Sequence, residues 1–155
     1  MADLTTLGVK FFYGVETSAG EKPTTFTVLE RVNSVGGISL DTEQIDVSAL
    51  EDLITQYAAG RQDTGGTWEV VFNLSNAVVT QLKTLFEAAA TAKATGLGTW
   101  FEVVFPDLED AFFVIADPGR AIPLPDIGQN EGATLPISMT VNKYIGLDTK
   151  VVPTV

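Results

Sequence analysis

The chain contains no cysteine and no histidine. Without cysteine there is no disulfide framework and no thiolate nucleophile. Without histidine the common zinc sites, the histidine-based triads and the usual pH switch are gone. Bases are scarce: nine Lys plus Arg face twenty Asp plus Glu, a formal net charge of −11. Such a chain is poorly equipped to grip nucleic acid through its phosphates. Long apolar runs are missing too, the longest compact block being Ala111 to Ala116, far short of the roughly 20 residues a membrane helix needs. The start, Met1-Ala2-Asp3-Leu4, carries an acid where a signal peptide wants a base. The expectation is a protein that stays where it is made, or leaves only as part of something larger. What is present is 155 residues, 45% of them hydrophobic, with a mean hydropathy of +0.22. That is enough to bury a core without staples and too apolar for a disordered chain. One domain over residues 1–155 is expected.

The dominant period is two. Val9 to Tyr13, Thr25 to about Val32, Ile38 to Val47, Thr67 to Leu74, Trp100 to Phe105, Ala111 to Ala116 and Leu135 to Val141 read as strands. In the fourth of these Trp68, Val70, Phe72 and Leu74 fall on one face. Pro136 places the start of the last run at an edge or outside the ladder. One segment has the helical period: Val78, Leu82, Leu85, Phe86 and Ala89 share a face. Ser75 or Asn76 caps its start and Gly96 closes its end, which predicts a helix over Asn76 to about Lys93. Strands, one helix, then more strands make an α+β, β-dominated chain with an antiparallel sheet. Two stretches have no clear period, Ser48 to Gly66 and Pro118 to Gly132. A loop as long as the first is usually functional or flexible.

Few residues suggest chemistry. Asp107-Leu108-Glu109-Asp110 lacks the offsets of a calcium loop and reads as a solvated hairpin turn. No phosphate-cradling glycine motif occurs. Trp68 and Trp100 each follow a Gly-Thr pair; they read as core or rim aromatics, the alternative being a sugar-stacking platform. The serines have no base in a motif, and nothing singles out two carboxylates as a catalytic pair. No metal or cofactor and no catalytic residue is expected. The acids are unevenly placed: Asp41, Glu43, Asp46, Glu51 and Asp52 follow one another with no intervening base. This serves solubility or a surface that repels a polyanion.

The order of segments resembles the major tail tube protein of long-tailed, non-contractile (siphovirus) bacteriophages. The densest likeness is Ile45-Asp46-Val47-Ser48-Ala49-Leu50, a short spacer, then Tyr57-Ala58-Ala59-Gly60-Arg61-Gln62-Asp63-Thr64-Gly65. After it come a strand, a helix, a hairpin around a polar turn at Phe105 to Ala111, and a final strand from Leu135 to Ile145 with a short tail. The resemblance covers nearly the whole chain. Some members carry an immunoglobulin-like domain after the tube domain, and none is expected within these 155 residues.

The resemblance implies an antiparallel β-sandwich or half-barrel with one flanking α-helix, a fold shared with type VI secretion tube proteins. It implies hexameric rings that stack into the hollow tail tube conducting genomic DNA into the host. The partners would be the chain itself, a tape measure protein inside the tube, and the tail tip and tail terminator proteins. DNA would pass without specific binding and no membrane would be involved. The protein would be made in the host cytoplasm and end in the virion tail. The 48–66 loop would contact the next ring, with Leu50, Leu53, Ile54 and Tyr57 as apolar anchors at helical spacing. The lumen wall would be polar and acidic, with Thr25, Thr27, Asp41, Glu43, Ser138 and Thr140 as candidates. Two other readings stay open: another ring-forming tail protein of the same fold, such as a tail terminator or baseplate ring, and a carbohydrate-binding β-sandwich.

Overall fold

A computed structural model describes residues 8–49, 51, 53–63, 65–106, 108–119, 121–125 and 133–151. Its elements run β1 (Lys10–Val15), β2 (Thr27–Leu29), β3 (Val32–Val35), β4 (Asp41–Asp46), β5 (Tyr57–Asp63), β6 (Thr67–Asn73), α1 (Asn76–Ala94), β7 (Thr99–Val104), β8 (Asp110–Asp117) and β9 (Thr134–Thr149). Seven strands form one sheet in the order β2-β1-β7-β8-β9-β6-β3, and β4 pairs with β5 in a separate two-stranded sheet. Every pairing is antiparallel. The chain is therefore α+β and β-dominated, with one flanking helix.

The seven-stranded sheet is strongly curled, which follows from its connectivity. β2 and β3 are its two edges, yet only Glu30 and Arg31 join them. Three Cα steps span at most about 11 Å, whereas six inter-strand spacings would hold the edges of a flat sheet about 29 Å apart. The edges must approach, and the result is a half-barrel. The expected single strand from Thr25 to Val32 is thus two strands at opposite edges. The break is at Arg31, the one described non-glycine residue with positive φ, at 63°. A left-handed residue ends a strand because it turns the next peptide out of the ladder.

Gln81 of α1 closes this joint. Its Oε1 accepts from the Glu30 N–H at 2.9 Å and its Nε2 donates to the Glu30 carbonyl at 3.2 Å. Both peptide groups lie where neither edge strand offers a partner. Gln81→Ala should lower stability by about 1–2 kcal/mol, the usual range for two partly exposed hydrogen bonds. Urea unfolding should show a lower midpoint with an unchanged slope. An unchanged midpoint would mean the clasp is incidental.

The core fills the concave side. Phe11, Tyr13, Leu29, Trp68, Val70, Phe72, Phe101, Val103, Val114, Ala116, Leu135, Ile137 and Met139 pack there against Val78, Leu82, Leu85 and Phe86 of α1. The helix forms as its period predicts: Ser75 caps it by accepting from the Val78 N–H at 3.2 Å. Gly96, at φ 79°, ends it and donates to the Lys93 carbonyl. Leu74 was expected on the Trp68 face, but it lies past the end of β6 and is exposed. A smaller cluster of Phe12, Phe26, Trp100, Ala111 and Phe113 occupies the opposite face of β1, β7 and β8. β9 serves both sides. Its period of two holds from Leu135 to Val141, and then register shifts opposite β8 re-phase it, so that Tyr144 packs with the main core and Ile145 with the second cluster. Pro136 pairs with Val71 of β6 and lies beyond the end of β8, which meets β9 only from Thr140 onward.

Both tryptophans are buried, at 2% and 4% exposure. The Trp68 indole donates to the Gly36 carbonyl at 2.6 Å, and that of Trp100 to Glu16 at 3.0 Å. Gly36 is required by its closeness to β6, because a Cβ there would stand 2.7 Å from the Glu69 carbonyl oxygen. With no indole face open to water, the sugar-platform reading loses the residues that suggested it.

Candidate assembly interface

Part of the segment expected to be one long loop from Ser48 to Gly66 is one arm of a hairpin. Tyr57 to Asp63 forms β5 and pairs with β4: Asp41 with Asp63, Thr42 with Gln62, Gln44 with Ala59, Ile45 with Ala58 and Asp46 with Tyr57. Periodicity missed β5 because Tyr-Ala-Ala-Gly-Arg-Gln-Asp has no alternation of apolar and polar residues. Alternation signals a strand with one buried face, and this hairpin buries neither. The described side chains of β4 and β5 are all exposed.

Polar contacts hold its far end. The Val47 N–H donates to the Gln56 carbonyl at 3.0 Å, and the Ser48 Oγ accepts from the Gln56 N–H at 2.6 Å. The Ser48 N–H donates to Asp46 Oδ1 at 2.9 Å. These bonds from Ser48 hold the Asp46 carboxyl below the usual range. Beyond them the apolar tip meets water: Leu53 is fully exposed, Ile54 is 79% and Tyr57 60% exposed. Ile45 and Val47 add to the same arm. Leu50, the fourth expected anchor, lies outside the described residues. The described part of the segment is extended and bent rather than helical.

A hairpin of two strands is marginal in water without a face to pack against. This one has no place in the main sheet, yet it displays large apolar side chains. The same chain carries an apolar groove of about 590 Å³ near β3, lined among others by Val9, Val32, Val35, Ile38 and Phe105.

The expected lumen residues are all exposed, but the fold spreads them over three places. Thr25 and Thr27 lie before and on β2, with Thr27 opposite Tyr13 of β1. Ser138 and Thr140 lie on β9 opposite Glu69 and Thr67 of β6. Three strands separate β2 from β9. Asp41 and Glu43 are on the hairpin, where a bulge between Thr42 and Gln44 interrupts the period of two. Even so, both line one shallow concavity of about 450 Å³, together with Arg61 and Gln62. Among the described residues no group of acidic side chains could hold a metal ion. Nor, among the described residues, is any helix long and apolar enough to cross a membrane.

No family model matches the chain, and no curated protein matches its sequence. Solved structures do match its fold. A chain from the cryo-EM structure of the anti-feeding prophage baseplate, sixfold symmetrised, superposes with a TM-score of 0.56 at 12% identity. The match covers 95% of this chain and 97% of that one. A chain from the tail of an empty GTA particle, refined helically with C6 symmetry, gives 0.57 at 15% identity, covering 96% and 99%. The fold is thus shared, end to end, with chains of a tail and of a baseplate.

Proposed function

We propose that the protein is a structural component of a phage-type tail, and specifically the tube subunit, whose hexameric rings stack into a hollow conduit for DNA. The observation that carries this reading is the β4–β5 hairpin, an exposed apolar arm with no surface of its own to cover. The end-to-end fold likeness to chains from two sixfold-symmetric particles supports it. So does the charge: a chain with twenty acidic and nine basic residues is poorly suited to hold a passing polyanion. The work is mechanical and calls for neither catalysis nor a cofactor. Leu53, Ile54 and Tyr57 would dock on a neighbouring copy, and the apolar groove beside β3 is the surface that suits them. Arm and groove are different surfaces of one chain, so the contact is head-to-tail and propagates into an open stack. One likeness is to a baseplate chain, which favours a ring at the end of the tail as the second reading. Negative-stain microscopy of the purified protein across concentration separates the two. Long tubes support a tube subunit, single or double rings support a baseplate role, and a monomer under every condition, tail-tip proteins included, refutes both.

The lumen assignment has its own test. Repulsion acts on DNA only within about 8 Å at physiological salt, so only wall residues matter. Asp41→Lys with Glu43→Lys should leave tubes intact and slow DNA passage, with partial recovery at high salt. The same exchange at Glu109, in the β7–β8 turn, and at Asp110, the first residue of β8, should be harmless. Normal DNA release from both variants would reduce the acidity of Asp41 and Glu43 to a matter of solubility.

A further inference from the structure

The second face of the sheet holds a carboxyl group that the assembly reading does not use. Glu102 of β7 is fully buried. Its partners across the strands are Phe12 on β1 and Phe113 on β8, and Trp100 precedes it by two on its own strand. Its Oε2 accepts one hydrogen bond, from the Val151 N–H at 2.9 Å. Its Oε1 accepts none.

The cover over this carboxyl is the chain just after β9. Val151 packs against the second aromatic cluster. The Lys150 Nζ donates to the Phe105 carbonyl at 3.3 Å. Lys22, in the β1–β2 connection, donates to the Thr149 carbonyl, stands 3.5 Å from Asp148 and sits 4.1 Å from the centre of the Phe113 ring. Thr149, the last residue of β9 and paired with Asp110 of β8, and the two residues after it thus form a strap held by that ladder pair, a few polar contacts and one apolar side chain. The charged groups around Glu102 are Lys22, Lys150 and, through its pairing with Lys22, Asp148. Directly across the strands, β1 and β8 place only Phe12 and Phe113 opposite it. The other carboxyl on this face, Glu16, is occupied by the Gly20, Gly98 and Trp100 N–H groups.

We propose that Glu102 and the 149–151 strap form a proton-controlled latch, closed while Glu102 carries its proton and released as it ionises. A carboxylate seeks several donors, and here it has one N–H. Its cost in a buried, aromatic setting is what water would relieve. Burial raises the Glu102 carboxyl above the usual range, against the opposing pull of the Val151 N–H, Lys22 and Lys150. Lifting the strap admits water and returns the group to the ordinary carboxylate range. The sign follows. The pKa is higher in the strapped state, so strapping is fully favoured below the ordinary value and weakens as pH rises toward the raised one. Above that it weakens no further.

The test is hydrogen exchange at the Val151 amide, read by NMR on the full chain and divided by the intrinsic rate at each pH. Protection should fall as pH rises from the ordinary carboxylate range to the raised one, about tenfold for each pKa unit of the rise. The Val114 amide in the core should show no such fall, which separates the latch from general loosening. E102Q is neutral at every pH and should keep Val151 protected throughout. Parallel curves for the wild type and E102Q overturn the proposal. Should E102Q not fold, the carboxyl carbon of Glu102 in the wild type decides. A titration midpoint matching the loss of Val151 protection supports the latch, and one in the ordinary carboxylate range overturns it.

Discussion

Replacing Leu53 and Ile54 together with aspartate should leave a folded subunit that no longer assembles. Neither side chain touches the core and both meet water, so the thermal midpoint of the monomer should move little. Burying the pair against a neighbour is worth about 3–6 kcal/mol per contact, and six contacts act together in a ring. Two carboxylates remove that gain and add the cost of burying charge. Sedimentation should change from a pelleting polymer to material that stays in solution. A head-to-tail contact allows a second check. Ile38→Asp in the groove should also block stacking, and mixing the two variants should give paired rings that grow no further, because each retains one intact surface. Tubes formed by the tip variant would remove the hairpin from the assembly contact. An unfolded tip variant would place the arm in the core of its own subunit.

Glu16→Ala should be among the most damaging single changes in the chain, at about 3–5 kcal/mol. Glu16 is only 5% exposed. Its two oxygens accept from the backbone N–H of Gly98, the backbone N–H of Gly20 at 3.0 Å and the Trp100 indole at 3.0 Å. One side chain thereby ties the end of β1 to the following turn and to the entry of β7, and its own N–H donates to the Gly98 carbonyl. Alanine would leave three donors facing an apolar pocket. Gly98 adds tightness, since a Cβ there would stand 2.9 Å from Glu16 Oε1. Glu21→Ala, on the exposed part of the same turn, is the control and should stay within about 0.5 kcal/mol. Denaturant titration of the three proteins measures the difference directly. Equal midpoints for the Glu16 variant and the wild type would show that solvent replaces the carboxylate, and that this corner is not structural.

The sequence by itself determined whatever repeats along one element. The helix is legible because Val78, Leu82, Leu85 and Phe86 recur at its period and Ser75 and Gly96 bound it. β6 and the first half of β9 are legible because one face of each is buried and the other is not. The exclusions were equally firm, since a chain without cysteine or histidine cannot supply their chemistry in any fold. Tertiary structure alone decided the rest, each time for a reason that spans distant residues. β2 and β3 form one continuous run in sequence, and only the curl of the sheet, turned at Arg31 and clasped by Gln81, makes them opposite edges. β5 carries no burial pattern, so only its ladder with β4 reveals it. Glu16 and Glu102 are two more carboxylates in an acidic chain until folding brings Gly98 and Trp100 to the first and Val151 to the second. Period and capping are local physics, carried by neighbours a few residues apart. The burial of a charge and the approach of two sheet edges depend on which distant segments close over them.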